Sequence, residues 1–578
     1  MGKKESPLKF DETGTIVTGC DKSATNVVIP DGVTKIGYKA FWLCKSLTTI
    51  KIPDSVTIID DSAFRGCTSL ISIKIPDGVT KIGEHTFDGC TSLTTIEIPD
   101  KVTKIGRSAF KDCSALNTIE ILNSVTEICD FVFEGCTSLV SIIVAEDNPC
   151  FSSVDGILFD KEKRSILRFP ASKKTQTYSI PNSVTRIGER TFEDCSALTT
   201  IEIPDSVTSI GDCAFRSCSS LTTIEIPNNV TEIGWKAFED CTSLTTIKIP
   251  DSVTEIGDSF SGCTSLTTIE IPDSVTKISS FNGCTSLTTI KIPNKVTSIG
   301  DYAFSGCRSL VSIIVAEDNP CYSSVDGILF NKEKTSILRY PKGKTAKTYY
   351  IPNSVTSISK YAFSGCTSLT TIGIPDSVTS IGKYAFEDCT SLITVEIPNS
   401  MTEIGESAFQ RCTSIATIKI LDGVTKIGDF AFMYCTSLTT IKVPNSVAEI
   451  GCLAFGECSS LTTVEVSDSV RVIDGGTFRN CTSLTTIKIP DGVTEISSCA
   501  FMDCTSLATI EIPDSVTEIG WKAFEGCTSL TTIKIPNSVK NIGYEAFGHC
   551  SSLTTAEITN STKIEDGVFD GCTSLRKK

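Results

Sequence analysis

The sequence predicts a β-dominated solenoid of the α/β class, a chain wound into stacked coils that each add one short strand to a long parallel sheet. Three observations carry this expectation. A 23-residue phrase, most often I-P-D-S-V-T-x-I-G-x-x-A-F-x-G-C-T-S-L-T-T-I-x, recurs 21 times in 578 residues, and a period of this length marks a repeat architecture. Within the phrase, Ile-x-Ile alternates apolar and polar residues with the period of a half-buried strand. One cysteine stands at the same place in every copy, from Cys44 and Cys67 to Cys572.

Residues 1–29 come before the first full copy. Strand-like pieces around Gly14 are expected to cap the first coil as a hairpin. Residues 30–578 are expected to form a single continuous array, with Pro30, Pro53 and Pro76 marking successive copies. In Thr49-Ile50-Lys51-Ile52-Pro53 the isoleucines face inward, while Thr49 and Lys51 face water. Pro53 has no N–H to give a ladder and ends the strand, and Asp54-Ser55 supplies turn chemistry. Val56, Ile59, Ala63 and Phe64 then return apolar groups to the interior. This irregular segment has room for short turns, or at most a single helical turn near Ala63-Phe64. Gly usually follows the second Ile (Gly37, Gly83, Gly106), yet Asp60, Asp474 and Ser497 replace it elsewhere. The position therefore calls for a tight backbone without strictly requiring positive φ. One copy buries too little to stand alone, so coils depend on their neighbours.

Two copies are longer. Spacing jumps from 23 to 59 residues between Leu122 and Pro181 and between Pro293 and Pro352, giving island repeats at 145–180 and 316–351. In the first, apolar strands flank Asp160-Lys161-Glu162-Lys163 and read as a β-hairpin, with Thr177-Tyr178-Ser179-Ile180 as the next strand of the main sheet. The two islands sit 171 residues apart, pointing to duplication of a block of repeats. Each island is either a ligand-contacting insertion or a variant repeat that covers the convex side. Near Ser259-Phe260 and Ser280-Phe281 the phrase shortens to 22 and 21 residues outside the strand. The last copy, 559–578, is incomplete and shows no polar cap, as for a fragment of a longer chain or an end covered by a partner.

The net charge of −16 arises from acidic and basic residues interspersed along every copy, which disfavours nucleic-acid binding. No apolar run reaches the length of a transmembrane helix. The amino terminus has the charges of a signal peptide without its hydrophobic segment. Met1, Gly2 and Ser6 fit a myristoylation pattern that would place a weak lipid anchor at Gly2. Of 28 cysteines, 21 share the repeat position, as expected for a small apolar residue stacked on its neighbours rather than for a disulfide framework. The C-x4-C pairs Cys213/Cys218 and Cys499/Cys504 lack nearby histidine and make no zinc motif.

Enzyme chemistry finds no foothold. His85 and His549 lie far apart at variable positions, and no P-loop, dinucleotide fingerprint or H-E-x-x-H occurs. No cofactor or metal is expected. What remains is the outward position between the two isoleucines, which varies between Lys and Glu: Lys51, Lys74, Glu97, Glu120, Glu202 and Lys248, with Thr49 and its equivalents beside it. Aromatic anchors, which usually carry interface energy, are few: Tyr349 and Tyr350 beside the second island, and Trp235 and Trp521 in the turn before Ala-Phe.

The pattern L-x-x-I-x-I-P-x-x-V-x-x-I-G-x-x-A-F-x-x-C, over about residues 27 to 575, closely resembles the BspA-like, Treponema-type leucine-rich repeat of bacterial and protist surface proteins. The resemblance implies a leucine-rich repeat solenoid, a right-handed superhelix with a concave parallel sheet. It also implies a non-enzymatic, protein-binding role, as an adhesin-like surface protein contacting a host or extracellular-matrix protein. The missing signal peptide points instead to a cytoplasmic scaffold or recognition module.

Overall fold

The computed structural model describes residues 6–558 and 562–576. Gly2 and its lipid-anchor pattern lie outside the described residues. The chain divides into two compact units, one of Met1–Leu287 with Lys295–Cys307 and the other of Thr288–Asn294 with Arg308–Lys578. Each is a solenoid of parallel strands, and no residue among those described is helical.

In both units the Ile-x-Ile segment forms the main strand. Thr200–Glu202, Thr223–Glu225 and Thr246–Lys248 pair in parallel with Thr opposite Thr and Ile opposite Ile. In the second unit the longest run of this kind extends from Thr348–Tyr350 to Thr509–Glu511. A register slip of one residue would turn every isoleucine outward, so burial of one face fixes the register.

The segment after the proline is more regular than the sequence suggested. Its V-T-x-I portion forms a second ladder of two-residue parallel strands, such as Lys81–Ile82, Lys104–Ile105 and Glu127–Ile128. Ala63 and Phe64 lie in sharp turns and not in a helical turn, because left-handed residues stand on both sides of them. Ser62 has φ 59° and Gly66 φ 73°, and an α-helix tolerates neither. Backbone donors consequently alternate in direction. Ala63, Arg65 and Cys67 donate within their own coil to Asp60, Ser62 and Phe64, whereas Ser62, Phe64 and Gly66 donate to Glu84, Thr86 and Asp88 of the next coil. This satisfies backbone groups that a buried irregular loop would strand.

Glycine after the second Ile has its own reason. A Cβ on Gly106 would sit 2.7 Å from the Gly83 carbonyl carbon, so stacked backbones meet there without room for a side chain.

Side chains stack in columns between the ladders. Phenylalanine rings run from Phe41 to Phe133 and from Phe169 to Phe304 in the first unit, and in the second a separate column runs from Tyr340 through Phe363 to Phe569. The repeat cysteine is buried beside them as a free thiol in nearly every copy. Its Sγ donates to the phenylalanine carbonyl of the preceding coil, as in Cys67 to Phe41 at 3.1 Å and Cys241 to Phe215 at 3.1 Å. Burial pushes thiols such as Cys67 and Cys90 up, Cys90 to about 12, so these stay protonated and act as small apolar residues with one weak donor.

At the amino terminus Leu8–Phe10 pairs antiparallel with Ile16–Cys20, whose first two residues pair in parallel with Lys35–Ile36. Each island holds three antiparallel strands around its hairpin: Phe151–Val154, Ile157–Asp160 and Ser165–Arg168 in the first, and Tyr322–Val325, Ile328–Asn331 and Ser336–Arg339 in the second. The third strand returns to the second ladder, pairing in parallel with Arg186–Ile187 or Ser357–Ile358. The island also closes one edge of a main strand. Ile142 donates to the Gly156 carbonyl, and the Val144 N–H donates to Ser153 Oγ at 3.0 Å. Main-strand pairing starts afresh at Thr177–Ser179.

Candidate interaction surfaces

The main strands present Thr49, Lys51, Lys74, Glu97, Glu120, Glu202 and Lys248 to solvent. Strand alternation places them there, because their neighbours Ile73, Ile96 and Ile201 are buried. Parallel register sets opposite charges side by side: Lys74 faces Glu97, and Lys248 lies between Glu225 and Glu270. In the second unit Lys419 reaches Glu396 at 2.6 Å and Lys442 reaches Glu465 at 3.1 Å. Exposed pairs of this kind contribute about 0–1 kcal/mol each. They keep the face polar more than they hold the fold.

In the first unit this face forms a groove of about 770 Å³. Its floor carries Thr200, Thr223, Thr246 and Thr268, and its charged residues are Glu202, Asp205, Glu225 and Glu270 against Lys248. The groove is thus strongly acidic within a chain that is already acidic.

The two tyrosines beside the second island part company. Tyr350 is 73% exposed. Tyr349 takes the inward position of an isoleucine and packs on Tyr340 and Phe363, with ring centroids 5.1 and 6.0 Å away; burial raises its phenol to about 12. Tyr350 lies opposite Gly373, where a Cβ would stand 2.4 Å from its Cδ1. Its ring therefore covers the one glycine that, among the described residues, takes the Lys/Glu position of a main strand, the way an aromatic shields a strand glycine. Trp235 and Trp521 lie on the turn segment and not on the strand face, 51% and 46% exposed. The ammonium groups of Lys236 and Lys522 stand 4.5 and 5.1 Å from their ring centroids.

A third cluster, absent from the residues singled out by sequence, surrounds the first island. Arg168, at the end of an apolar strand, is buried against Glu193, and Arg190 bonds Glu193 at 2.9 Å and approaches Glu134 at 3.4 Å. Lys111 holds Glu134 at 2.9 Å. Burial outweighs these cations and leaves the Glu193 carboxyl above its usual range. Phe131 lies between two guanidinium groups, those of Arg107 and Arg190, each 4.8 Å from its centroid. The one sequence sign of this cluster is an arginine closing an otherwise apolar strand in both islands, at Arg168 and Arg339.

His85 bonds Asp88 at 3.0 Å. Among the described residues no three His, Cys, Asp or Glu side chains are grouped to hold a metal ion, and no helix is long and apolar enough to cross a membrane.

A solenoid of short parallel strands with a column of apolar side chains per repeat defines a leucine-rich repeat scaffold. The sequence profile of the BspA type leucine rich repeat region matches six copies, within residues 18–149, 168–280, 258–345, 340–462 and 448–576, and the chain belongs to that family. None of the curated proteins compared with the chain matches it. Among solved structures it is similar to a leucine-rich repeat protein from Eubacterium ventriosum, at 25% identity and a TM-score of 0.46 over 67% of this chain and 95% of that one. A leucine-rich repeat protein from Bacteroides ovatus shares 27% identity at a TM-score of 0.33, over 81% and 99% of the two chains. A leucine rich cell surface protein from Faecalibacterium prausnitzii shares 24% identity at a TM-score of 0.19, over 97% and 95%.

Proposed function

We propose that the chain is a non-enzymatic protein-binding scaffold, an adhesin-like surface protein that engages a host or matrix protein along its main-strand face. The observation that carries this reading is the groove of Glu202, Asp205, Glu225 and Glu270 over a floor of threonines. An acidic, ridged surface suits an extended basic segment of a partner, held by many charge-assisted contacts and steered by long-range attraction. A panel of purified matrix proteins, tested by surface plasmon resonance, checks it. Binding should weaken roughly tenfold or more in a Glu202→Lys/Glu225→Lys/Glu270→Lys variant, and should fall with added salt. Undiminished binding by the variant would remove this face from the reading.

A second reading, an intracellular scaffold, draws on one observation: repeat cysteines such as Cys67, Cys90 and Cys241 are buried as thiols rather than joined in disulfides, and thiols suit a reducing compartment. Antibody labelling of intact and permeabilised cells separates the two. Signal only after permeabilisation would favour the scaffold.

A further inference from the structure

We propose that the open edge of Thr177–Ser179, where the first island interrupts the main sheet, docks an extended segment of a partner protein as one added parallel strand, with a basic residue facing out beside Ser179. The proposal rests on the reading of the main-strand face as the partner surface and adds a backbone site to it.

A main strand elsewhere has a neighbour on each side. Ser141–Val144 pairs in parallel with Thr118–Ile121, and the island closes its other edge through Gly156 and Ser153. Thr177–Ser179 pairs with Thr200–Glu202 alone. Among the described residues no other strand has a Cα within 8 Å of it, whereas strands of one sheet run about 4.8 Å apart. Burial records the same gap. Pro181 is exposed, Pro204 half-buried and Pro227 buried, and Pro352, Pro375 and Pro398 repeat the series beyond the second island. Pro30, Pro53 and Pro76 show it again after the first main strand, Asn26–Val28.

The register identifies the backbone groups left over. Between stacked coils Thr200 donates to the Gln176 carbonyl, and the Glu202 carbonyl accepts from Ile180. The Thr and Lys/Glu positions therefore turn their N–H and C=O groups toward the preceding coil. For Thr177 and Ser179 no strand stands there, and among the described residues no backbone bond reaches their open side. Two donors and two acceptors in a row make a template for another chain.

The surroundings select the occupant. The inward residue of an added strand lies beside Tyr178, which is half-buried where Ile201 and Ile224 are covered, so an apolar side chain closes the core there. The outward residue beside Ser179 meets a carboxylate, because Ser179 Oγ donates to Glu202 Oε2 at 2.6 Å and Asp205 shares the groove. Lys173 and Lys174 stand before the strand, Lys173 held on the Asp155 carbonyl at 2.6 Å. A parallel segment thus meets cations at its start and carboxylates at its end, which suits an acidic residue first and lysine or arginine last.

The second island supplies a contrast. Thr348–Tyr350 pairs with Thr371–Gly373 alone, but Gly373 stands where the first edge has Glu202. That edge offers the backbone without the carboxylate and should hold the same segment more weakly.

Fluorescence anisotropy of the full chain with labelled acetyl-Glu-Thr-Ile-Lys-Ile-Thr-amide tests the proposal. In parallel register its two isoleucine N–H groups face the edge. The peptide should bind saturably. N-methylation of both isoleucines should weaken binding roughly tenfold or more, and N-methylation of the first threonine and the lysine should leave it nearly unchanged. Thr177→Pro should cost a similar factor, since its ring removes the open donor while Gln176 and Ile180 keep their bonds to the next coil; Thr348→Pro should spare the tighter site. If Thr177→Pro disturbs the near-ultraviolet dichroism, the two methylated peptides decide alone. No saturable binding up to millimolar peptide, or equal binding of the methylated isomers, would overturn the proposal. Equal binding that is lost in the Glu202→Lys/Glu225→Lys/Glu270→Lys variant would keep the face as a partner surface and reject the edge.

Discussion

At the scale of single residues, two glycine positions that look alike in the repeat serve different ends. Gly89 has φ +74°, and a Cβ there would meet Gly66 Cα at 3.6 Å, an ordinary van der Waals contact. Its constraint is the backbone alone. Gly106 has ordinary φ, but its Cβ would press on the Gly83 carbonyl carbon at 2.7 Å. Gly89→Ala should therefore lose about 1 kcal/mol, the left-handed penalty of a side chain, whereas Gly106→Ala should lose more because one backbone must move off another. Urea titrations of the two variants check the order; equal losses would mean that coil spacing is softer than the stacking implies. The same logic shows in what the left-handed positions accept. They hold Asp, Asn, Ser, Lys, Tyr and even Leu43 and Phe131, but among the described residues no Val, Ile or Thr, whose branched Cβ suits this region worst.

At the scale of elements, each island is anchored by one buried amide. Asn148 Nδ2 donates to the Leu122 and Val125 carbonyls at 2.7 and 2.9 Å, and its Oδ1 accepts from Cys150 and Phe151 at 2.9 and 2.8 Å. Neither a carboxylate nor a methyl group can do both. Asn148→Asp still accepts from Cys150 and Phe151 but sets a carboxylate against the two carbonyls, whereas Asn148→Ala should destabilise the first unit by about 3 kcal/mol or more, since both the Cys150 and Phe151 N–H groups and the Leu122 and Val125 carbonyls lose their partner. Hydrogen exchange should show lost protection at Cys150 and Phe151 first; unchanged protection there would remove the amide from its anchoring role. The main strand was legible in the sequence because Ile-x-Ile-Pro recurs with one meaning, so 21 copies repeat the same evidence. The second ladder was not, since two-residue strands such as Lys81–Ile82 are too short to show an alternation. The strand face could be read off the Lys/Glu position, but the inward turn of Tyr349 needed the register that makes it an isoleucine substitute. Arg168 and Glu193 were illegible for a different reason. They meet only after a 36-residue insertion folds back on the next coil, and no local pattern records that return.

At the scale of the molecule, burial sorts the thiols into two populations. Twenty-two are buried, and Cys129, Cys150, Cys321, Cys452, Cys499 and Cys572 are half-exposed. Alkylation of the native protein followed by mass spectrometry should mark these six first, and the columns beside the phenylalanines only after denaturation. Early labelling spread evenly over the repeat positions would contradict the closed core of both units. Because each coil depends on its neighbours, loss of one coil should open protection outward from the break rather than collapse the whole chain at once.

The thiol-to-carbonyl bond has a consequence for how such a gene can change. A coil offers its phenylalanine carbonyl to the cysteine that follows and takes the one that precedes, as in Cys218 with Phe192 and Cys241 with Phe215. Away from the islands, one junction after another is thus the same plug and socket. Unequal crossing-over between copies of the repeat yields proteins longer or shorter by whole coils, with each new boundary bonded like the old ones, so length in this chain is open to recombination while the island positions keep their individuality.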